Sequence, residues 1–486
     1  MKNKYTLLDE SFFKQKYSFD TTGVNPYDAG IPLIETDNKT IEEIYYYRWH
    51  SYCQQIKETP CGYVVTEFLP DVPWAGIYNT INCPAGHHFY EGRWLHDEKY
   101  LSDYAKFWFT KEAQPRKYSF WAADSIYTLC KTRGDFSIAF ELFENLKKNY
   151  FEWERSHGRE CGLFYQIDNY DGMEYSISGS GLRPTINSYM YADALAISKI
   201  AHLLGKADDE KAFTEKAEKL RELINTRLWD ESSSFYKNLS ETTDYTLADV
   251  RELIGYIPWC FNVPNEGKSD AWKYLFDEKH FDAPYGPTTA ERCHPDFMKE
   301  FDHECLWNGP SWPFATSQTL TGMSNLLHFY DQKVLHPCDY YRLLDKYASC
   351  HYITENGVRR PFIDENLDPF TGEWLARKIL YSIEPERPDK DRGHDYNHST
   401  FCDLVISGLA GIKVTDEKLI VSPLFGENDL SYFCADGIKI KNSYVSVVWD
   451  RCGEKFEKGL NIFINGKKTA SFPNIDTYTI NISEVE

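Results

Sequence analysis

The chain has 486 residues, enough to bury a large core, and on usual domain sizes it holds one large domain with a smaller one, or three ordinary ones. Its 53 basic against 74 acidic residues give a formal net charge of −21, which argues against an electrostatic grip on nucleic acid or an anionic membrane and favours a neutral or cationic partner. Aromatic residues make up 16% of the chain, and flat rings over a cleft are what sugar faces pack against, although helix packing consumes aromatics too.

The first stretch, MKNKYTLLDESFFKQKY, has no continuous apolar core and no small-residue cleavage site, so no signal peptide is expected there. No later run approaches a membrane span. Thirteen cysteines stand singly with no C-x-x-C pair, which speaks against a disulfide framework or a zinc ribbon and makes a reducing cytoplasm the simplest setting. Residues 1–60 are mixed in pattern, and the expectation is a segment packed on the domain that follows.

From residue 61 to about 413 the periodicity is mostly helical. Leu195, Ile197, Ile200, Ala201 and Leu204 fall at helical spacing, Gly205 closes the run, and Phe213, Ala217, Leu220, Ile224 and Leu228 resume it, predicting a helical hairpin. Similar pairs are drawn through Tyr100–Phe109 with Phe120–Cys130, and through Ser137–Trp153 with Trp312–Tyr330. Long, aromatic-rich loops join these elements and are expected to carry the chemistry.

The loops are taken in order. CPAGHHFYEGRWLHD places His87, His88 and Glu91 at spacings that would face together on a helix, but no third ligand follows, so no metal or cofactor is expected; His87, His88, Arg93 and Trp94 read as sugar contacts or loop packing. Gly162–Ala194 holds Asp168, Asp171 and Glu174 among Tyr165, Tyr170 and Tyr175, with Arg183 beyond, either gripping a hydroxyl or pairing with a carboxylate. ECLWNGPSWPF sets Trp307, Asn308 and Trp312 around a tight turn, which suits a sugar platform. PFIDENLDPFTGEW crowds Asp364, Glu365, Asp368 and Glu373 among large apolar residues; Asp364, Asp368 and Glu373 read as turn formers, caps or ion-pair partners. A calcium loop is dismissed, since Gly and Glu are out of register with Asp364. Tyr396, Asn397 and His398 precede an apolar helix, where Asn or Ser also serves as a cap.

After Lys413 the period changes to two. Leu419–Val421, Ile438–Ile440 and Tyr444–Trp449 read as strands, and Leu460–Ile464 followed by Asn465-Gly466 predicts a type I′ hairpin. A small β-sandwich-like module is expected over 414–486.

The succession YSFWAADSIYTLCKTRGD, YDGMEYS, LWNGPSW, DENLDPFTGEW and RGHDYNHSTFCDLVISGLAG resembles the six-hairpin glycosidases of the trehalase, family 63 glucosidase and mannosylglycerate hydrolase group. The resemblance covers about Trp74–Ile412 and the terminal β module. It implies a mainly α protein, an (α/α)6 barrel over 61–413 with a small C-terminal β domain, acting as an inverting glycoside hydrolase. YDGMEYS is similar to the motif E-S-G-M/W-D-x-S that carries the general acid, which places the acid on Glu174; the chain has Glu where that motif has Asp, and Tyr170 where it begins with Glu, so Asp171 remains a second candidate. Trp307–Trp312 is similar to W-R-G-P-x-W with Asn308 in place of Arg, and Glu365–Gly372 is similar to E-N-Y-x-P-x-T-G, which makes Glu365 the base. Trp121, Tyr396 and His398 join the expected sugar-binding set.

The chemistry agrees with the resemblance on its own terms. Inversion needs one protonated carboxyl for the departing oxygen and one carboxylate to activate water on the opposite ring face, and two acidic clusters on separate loops permit this. Flanking aromatics would desolvate one member and keep it protonated. The expected substrate is a short oligosaccharide or glycoside. The other readings are a glycoside phosphorylase, which would want cations where Glu365 sits, a sugar epimerase relying on paired histidines such as His87, His88 or His398, and a non-catalytic sugar-binding protein. Sugar identity, anomeric preference and oligomeric state are not legible.

Overall fold

The computed structural model describes residues 5–18, 22–241, 244–383, 386 and 389–485. Its main helices are Lys39–Gln54 (α1), Ala85–Gly92 (α2), Lys99–Phe107 (α3), Ala122–Arg133 (α4), Phe143–His157 (α5), Pro184–Leu203 (α6), Ala207–Arg227 (α7), Ile257–Cys260 (α8), Pro313–Phe329 (α9), Pro337–Ser349 (α10) and Cys402–Leu404 (α11), the last running on into a single wider turn, Val405–Leu409.

Two residue patterns separate two kinds of helix. α6 reads PTINSYMYADALAISKIAHL and α9 reads PFATSQTLTGMSNLLHF; both are apolar or small and polar on nearly every side, and both are buried almost throughout, as central helices are. By contrast α7 reads ADDEKAFTEKAEKLRELINTR and buries one stripe of Phe213, Ala217, Leu220 and Ile224, leaving its charged face to solvent. Asp208, Asp209 and Glu210 sit in its first turn, where they answer the positive end of the helix dipole. Proline stands at the start of α6, α9 and α10, where its missing N–H costs no helical bond.

Packing follows that division. α2 packs on α4, α4 on α6, α6 on α8, α8 on α9, α9 on α11, and α11 returns to α2. Outside this circuit α5 and α7 lie on α6, α10 lies on α9, and α1 packs on α10 and α11. The α6–α7 hairpin agrees with the apolar spacing. Two other pairings drawn from sequence differ: α5 lies against α6 rather than α9, and α3 packs on the Gly62–Val65 strand while α4 packs on α2 and α6. Periodicity identifies a helix and its buried face, but which partner covers that face depends on the long connections.

Apart from three two-stranded hairpins, the strands are Leu33–Thr36 (β1), Ile412–Val414 (β2), Lys418–Val421 (β3), Tyr432–Ile440 (β4), Ser443–Asp450 (β5), Gly459–Ile464 (β6), Lys467–Phe472 (β7) and Tyr478–Asn481 (β8). Five of them form an antiparallel sheet in the order β1-β4-β5-β6-β7, and three form a second sheet in the order β8-β3-β2. The β6–β7 turn uses Asn465 at φ 50° and Gly466 at φ 72°, the left-handed pair that a type I′ turn requires. The segment before residue 61 thus supplies both a strand to this sheet, with Leu33 opposite Asp436, and the buried helix α1. Among the described residues no helix is long and apolar enough to cross a membrane.

Candidate active site

Segments that precede α2, α6, α9 and α11 converge on one cavity of about 220 Å³. Cys83 enters it ahead of α2, Gly172 and Glu174 ahead of α6, Trp307, Trp312 and Phe314 at the start of α9, and Arg392, Tyr396 and His398 ahead of α11. Glu365 comes from the PFIDENLDPFTGEW segment, whose Phe362, Ile363, Leu367 and Trp374 are buried. The apolar residues of that segment anchor it as a wall of the cavity. Leu367 exchanges backbone hydrogen bonds with Ser311 at 2.8 and 2.9 Å, which stitches this segment to the one carrying the two tryptophans, and Asn366 Oδ1 accepts from Ala376 N. Asp368 caps the following turn through Phe370 N and Thr371 N, and Glu373 pairs with Lys378.

Two carboxyls of the cavity differ in their surroundings. Burial, with the neighbouring charge of Glu365 adding to it, pushes Glu174 up to about 8, so it carries its proton at neutral pH. Its backbone carbonyl accepts from Trp307 N at 3.0 Å, fixing the loop against the tryptophan segment. Glu365 has a buried counter-charge instead: Arg392 Nε donates to Oε1 at 3.0 Å, and the Cys305 thiol donates to Oε2 at 2.8 Å. Arg392 Nη2 also holds Glu304 at 2.6 Å, and Arg392 is the one guanidinium or ammonium group among the described lining residues.

Asp171 lies outside the cavity. Its buried carboxylate accepts from Ser119 Oγ at 2.5 Å, from Arg183 Nε at 2.6 Å and from Thr185 Oγ1, which leaves it no room to serve a substrate. Arg183 is corrected with it: fully buried at the start of α6, its guanidinium is engaged by Asp171, Ser176 and the Gly179 carbonyl. Asn308 is also turned away, donating to the Lys299 carbonyl at 2.8 Å. His88 bridges Tyr104 and the Asn397 carbonyl inside the core. His87 and Trp121 stand behind the wall, with the His87 ring against Trp121 and Phe314. Arg93 and Trp94 both donate to Asp403 and border a different cavity. The Glu91 carboxylate accepts from the backbone N–H groups of Phe401, Cys402 and Asp403, capping α11.

Trp307 and Trp312 do border the cavity, but each is 3% exposed and they stack on one another at 4.5 Å. They form a closed double wall in place of an open platform. Tyr396 and His398 both border the cavity, their rings 3.8 Å apart. Burial holds the His398 imidazole well below its usual range, hence neutral, with the Tyr396 and Glu365 backbones as its nearest hydrogen-bonding neighbours. A neutral imidazole at a polar cavity suits a sugar hydroxyl.

Sequence reasoning passed over several lining residues. Glu67 accepts from Tyr396 Oη at 2.5 Å, and burial raises it to about 8, so a third carboxyl carries its proton here. Trp74, Tyr118, His303, Glu304 and Cys305 also contribute. Arg392 stood inside the RGHDYNHST stretch, where a basic residue leading an aromatic run was the available signal. Elsewhere His280, Glu291 and Cys293 bring ligand atoms within 4.8 Å of one another, but Arg251 already donates to Glu291 at 2.7 Å.

Comparison with known proteins places these features in context. A family model described as the mannosylglycerate hydrolase MGH1-like glycoside hydrolase domain matches residues 77–399. A solved structure titled sialidase is 37% identical with a TM-score of 0.90 and covers 97% of this chain and 44% of its own. The GH78 family rhamnosidase of Bacillus sp. GL1 is 12% identical with a TM-score of 0.53, over 89% of this chain and 41% of its own, and shares the fold. A curated protein of Borreliella burgdorferi (strain ATCC 35210 / DSM 4680 / CIP 102532 / B31), described there as uncharacterized, is 26% identical over 178 residues, 36% of this chain and 37% of that one. The chain therefore matches less than half the length of each of these relatives.

Proposed function

The chain belongs to the mannosylglycerate hydrolase MGH1-like glycoside hydrolase family, and on that premise we propose that it hydrolyses neutral glycosides or short oligosaccharides with inversion of configuration. The observation that carries this reading is that Glu174 and Glu365 line one cavity in unlike surroundings. Glu174, holding its proton, protonates the departing glycosidic oxygen. Glu365, paired with Arg392, takes a proton from the water that attacks the anomeric carbon from the opposite face. His398, Tyr396 and Glu67 supply hydrogen bonds to sugar hydroxyls, and the stacked Trp307 and Trp312 give the apolar wall.

The charge of the cavity supports a neutral substrate. A carboxylate on the sugar or the aglycone needs a cation, and the charge of Arg392 is already answered by Glu365 and Glu304, through Nε and Nη2. The same occupancy argues against a phosphorylase, which would need a free cationic seat for phosphate. The circuit α2-α4-α6-α8-α9-α11 with outer helices around it supports an (α/α)6 barrel as the catalytic unit over residues 61–413, with 414–486 as the β module and part of 1–60 built into both. The net charge of −21 and thirteen unpaired cysteines support a cytoplasmic protein with no nucleic-acid or membrane partner.

The test is the product anomer. NMR of the first minutes of hydrolysis, before mutarotation, is expected to show the anomer opposite to that of the substrate; retention overturns the inverting scheme. Release from neutral aryl glycosides with none from sialosides or glycerate glycosides is expected, and the reverse pattern overturns the neutral substrate.

A further inference from the structure

Residues toward the other ends of α2, α4, α6 and α9 border a second cavity of about 310 Å³, closed by the α11 segment and by β2. The volume is at the low end of the roughly 300–1,000 Å³ of small-molecule sites. None of its lining residues borders the first cavity. Its walls carry four cations, Arg93, Lys131, Lys199 and Lys413, against three carboxylates, Asp124, Asp403 and Asp416.

The carboxylates are all engaged. Asp403 accepts from Arg93 Nη2 at 2.6 Å and Trp94 Nε1 at 2.7 Å; Asp416 pairs with Lys199 at 2.7 Å and accepts from Tyr127 Oη; Asp124 accepts from Tyr90 Oη at 2.5 Å. Two lysines have no carboxylate at ion-pair distance among the described residues, although Asp416 and Asp124 act on Lys131 and Asp403 acts on Lys413 from farther off. Lys413 Nζ donates to the neutral Asn325 Oδ1 at 3.1 Å, and Lys131 has the face of Tyr127 at 5.7 Å. Cations near helix C-termini often answer the helix dipole, yet among the described residues neither lysine donates to a backbone carbonyl.

We propose that this second cavity binds the phosphate group of a small molecule, held between the Lys131 and Lys413 ammonium groups. Two ammonium groups in a recess with no anion at ion-pair distance are costly to keep charged, and a doubly charged oxyanion answers both at once. Burial has already drawn Lys131 down to about 8 and Lys413 to about 7, so the apo cavity pays for its surplus charge by weakening it. Arg93 and Lys199, each paired with a carboxylate, face the same space, while Tyr90, Trp94, Phe261 and Phe329 give an organic group attached to the phosphate a surface to lie against.

The test uses the whole chain and two probes, inorganic phosphate and glucose 6-phosphate, titrated calorimetrically at low salt and neutral pH. Saturable one-site binding is expected, weakened by about tenfold or more in Lys131→Met and in Lys413→Met, with hydrolysis of a neutral glycoside unchanged. Lys131→Arg keeps the charge and is expected to keep binding. Equal affinity for the two probes identifies the phosphate group alone as the feature read, and tighter glucose 6-phosphate identifies a phosphate monoester; each supports the site. Should a Met variant fail to fold, the unaltered protein must still gain thermal stability with millimolar probe. No saturable binding and no thermal shift with either probe, or binding unchanged in both Met variants, overturns the proposal.

Discussion

Arg392 Nε donates to Glu365 Oε1 at 3.0 Å in the cavity wall, with both side chains no more than 3% exposed. A pair so buried is held in place by what its removal would leave behind. Arg392→Gln leaves Glu365 without its counter-charge and frees Glu304, and breaking a buried pair from one side costs about 3–5 kcal/mol. Denaturant unfolding at neutral pH is expected to show a loss of that size, together with a large fall in kcat. A loss below about 1 kcal/mol, the usual value of an exposed pair, contradicts the assignment.

The acid and base roles separate by leaving group. Glu365→Gln is expected to lower the rate by ~10²–10⁴ on every substrate, the usual contribution of general base catalysis. Glu174→Gln is expected to do the same on an ordinary glycoside but to recover much of its rate on a nitrophenyl glycoside or a glycosyl fluoride, whose leaving groups need little protonation. Equal losses on both substrates in both variants would show the roles to be misassigned.

As the proposed acid, Glu174 is expected to set the alkaline side of the pH profile. Because its proton is retained up to about 8, kcat/KM on an unactivated glycoside is expected to fall as pH rises through that value. The limb is expected to vanish in Glu174→Gln measured on the nitrophenyl glycoside. A profile flat to pH 9 or beyond, well past the value of about 8 for Glu174, contradicts this.

Glu67 predicts a stability change with a definite sign. Its carboxyl is raised to about 8 by burial, while an unfolded Glu loses its proton near 4.5. Between those values the folded state binds more protons than the unfolded state, so stability falls as pH rises across the window. Glu67→Gln removes that dependence and is expected to raise Tm at pH 8 relative to the parent, with a smaller gain or a loss near pH 4.5. Parallel Tm–pH curves for the two proteins would rule out the raised value.

Gly393 lies where the Arg392 segment crosses Asp364. An added Cβ would stand 1.8 Å from Asp364 Oδ1, and that carboxylate oxygen is already bonded to Glu365 N at 2.7 Å. Gly393→Ala is expected to destabilise by about 1–3 kcal/mol, as overpacked interiors do, and to disturb catalysis through Glu365. A variant with unchanged Tm and rate would show that the segment shifts freely.

Local features were legible where their cause is local. The apolar spacing of Leu195–Leu204 and Phe213–Leu228 marks α6 and α7, and Asn465-Gly466 marks a turn whose backbone needs two positive φ angles. Asp171 stayed a second candidate beside Glu174 because the two stand only three positions apart; Arg183 and Thr185 of the same stretch and Ser119 from 52 positions away engage Asp171, contacts that spacing does not reveal. Glu67 and Tyr396 meet across 329 positions, and no short-range pattern points from one to the other. β1 was unreadable for the same reason: four residues make a weak signal when the partner strand begins at Tyr432.

That last pairing bears on how the molecule is made. Leu33 sits opposite Asp436, so about 400 residues must leave the ribosome before the strand meets its partner; at ~5–20 residues per second this is a wait of roughly 20–80 s. Throughout that interval a nascent chain holds Leu33 and Ile34, both of which the finished protein buries, without the strand that pairs with them. Protection of this segment during synthesis, by a chaperone or by transient collapse onto α1, is therefore a requirement of the topology, and the helical body cannot be sealed until its final strands are translated.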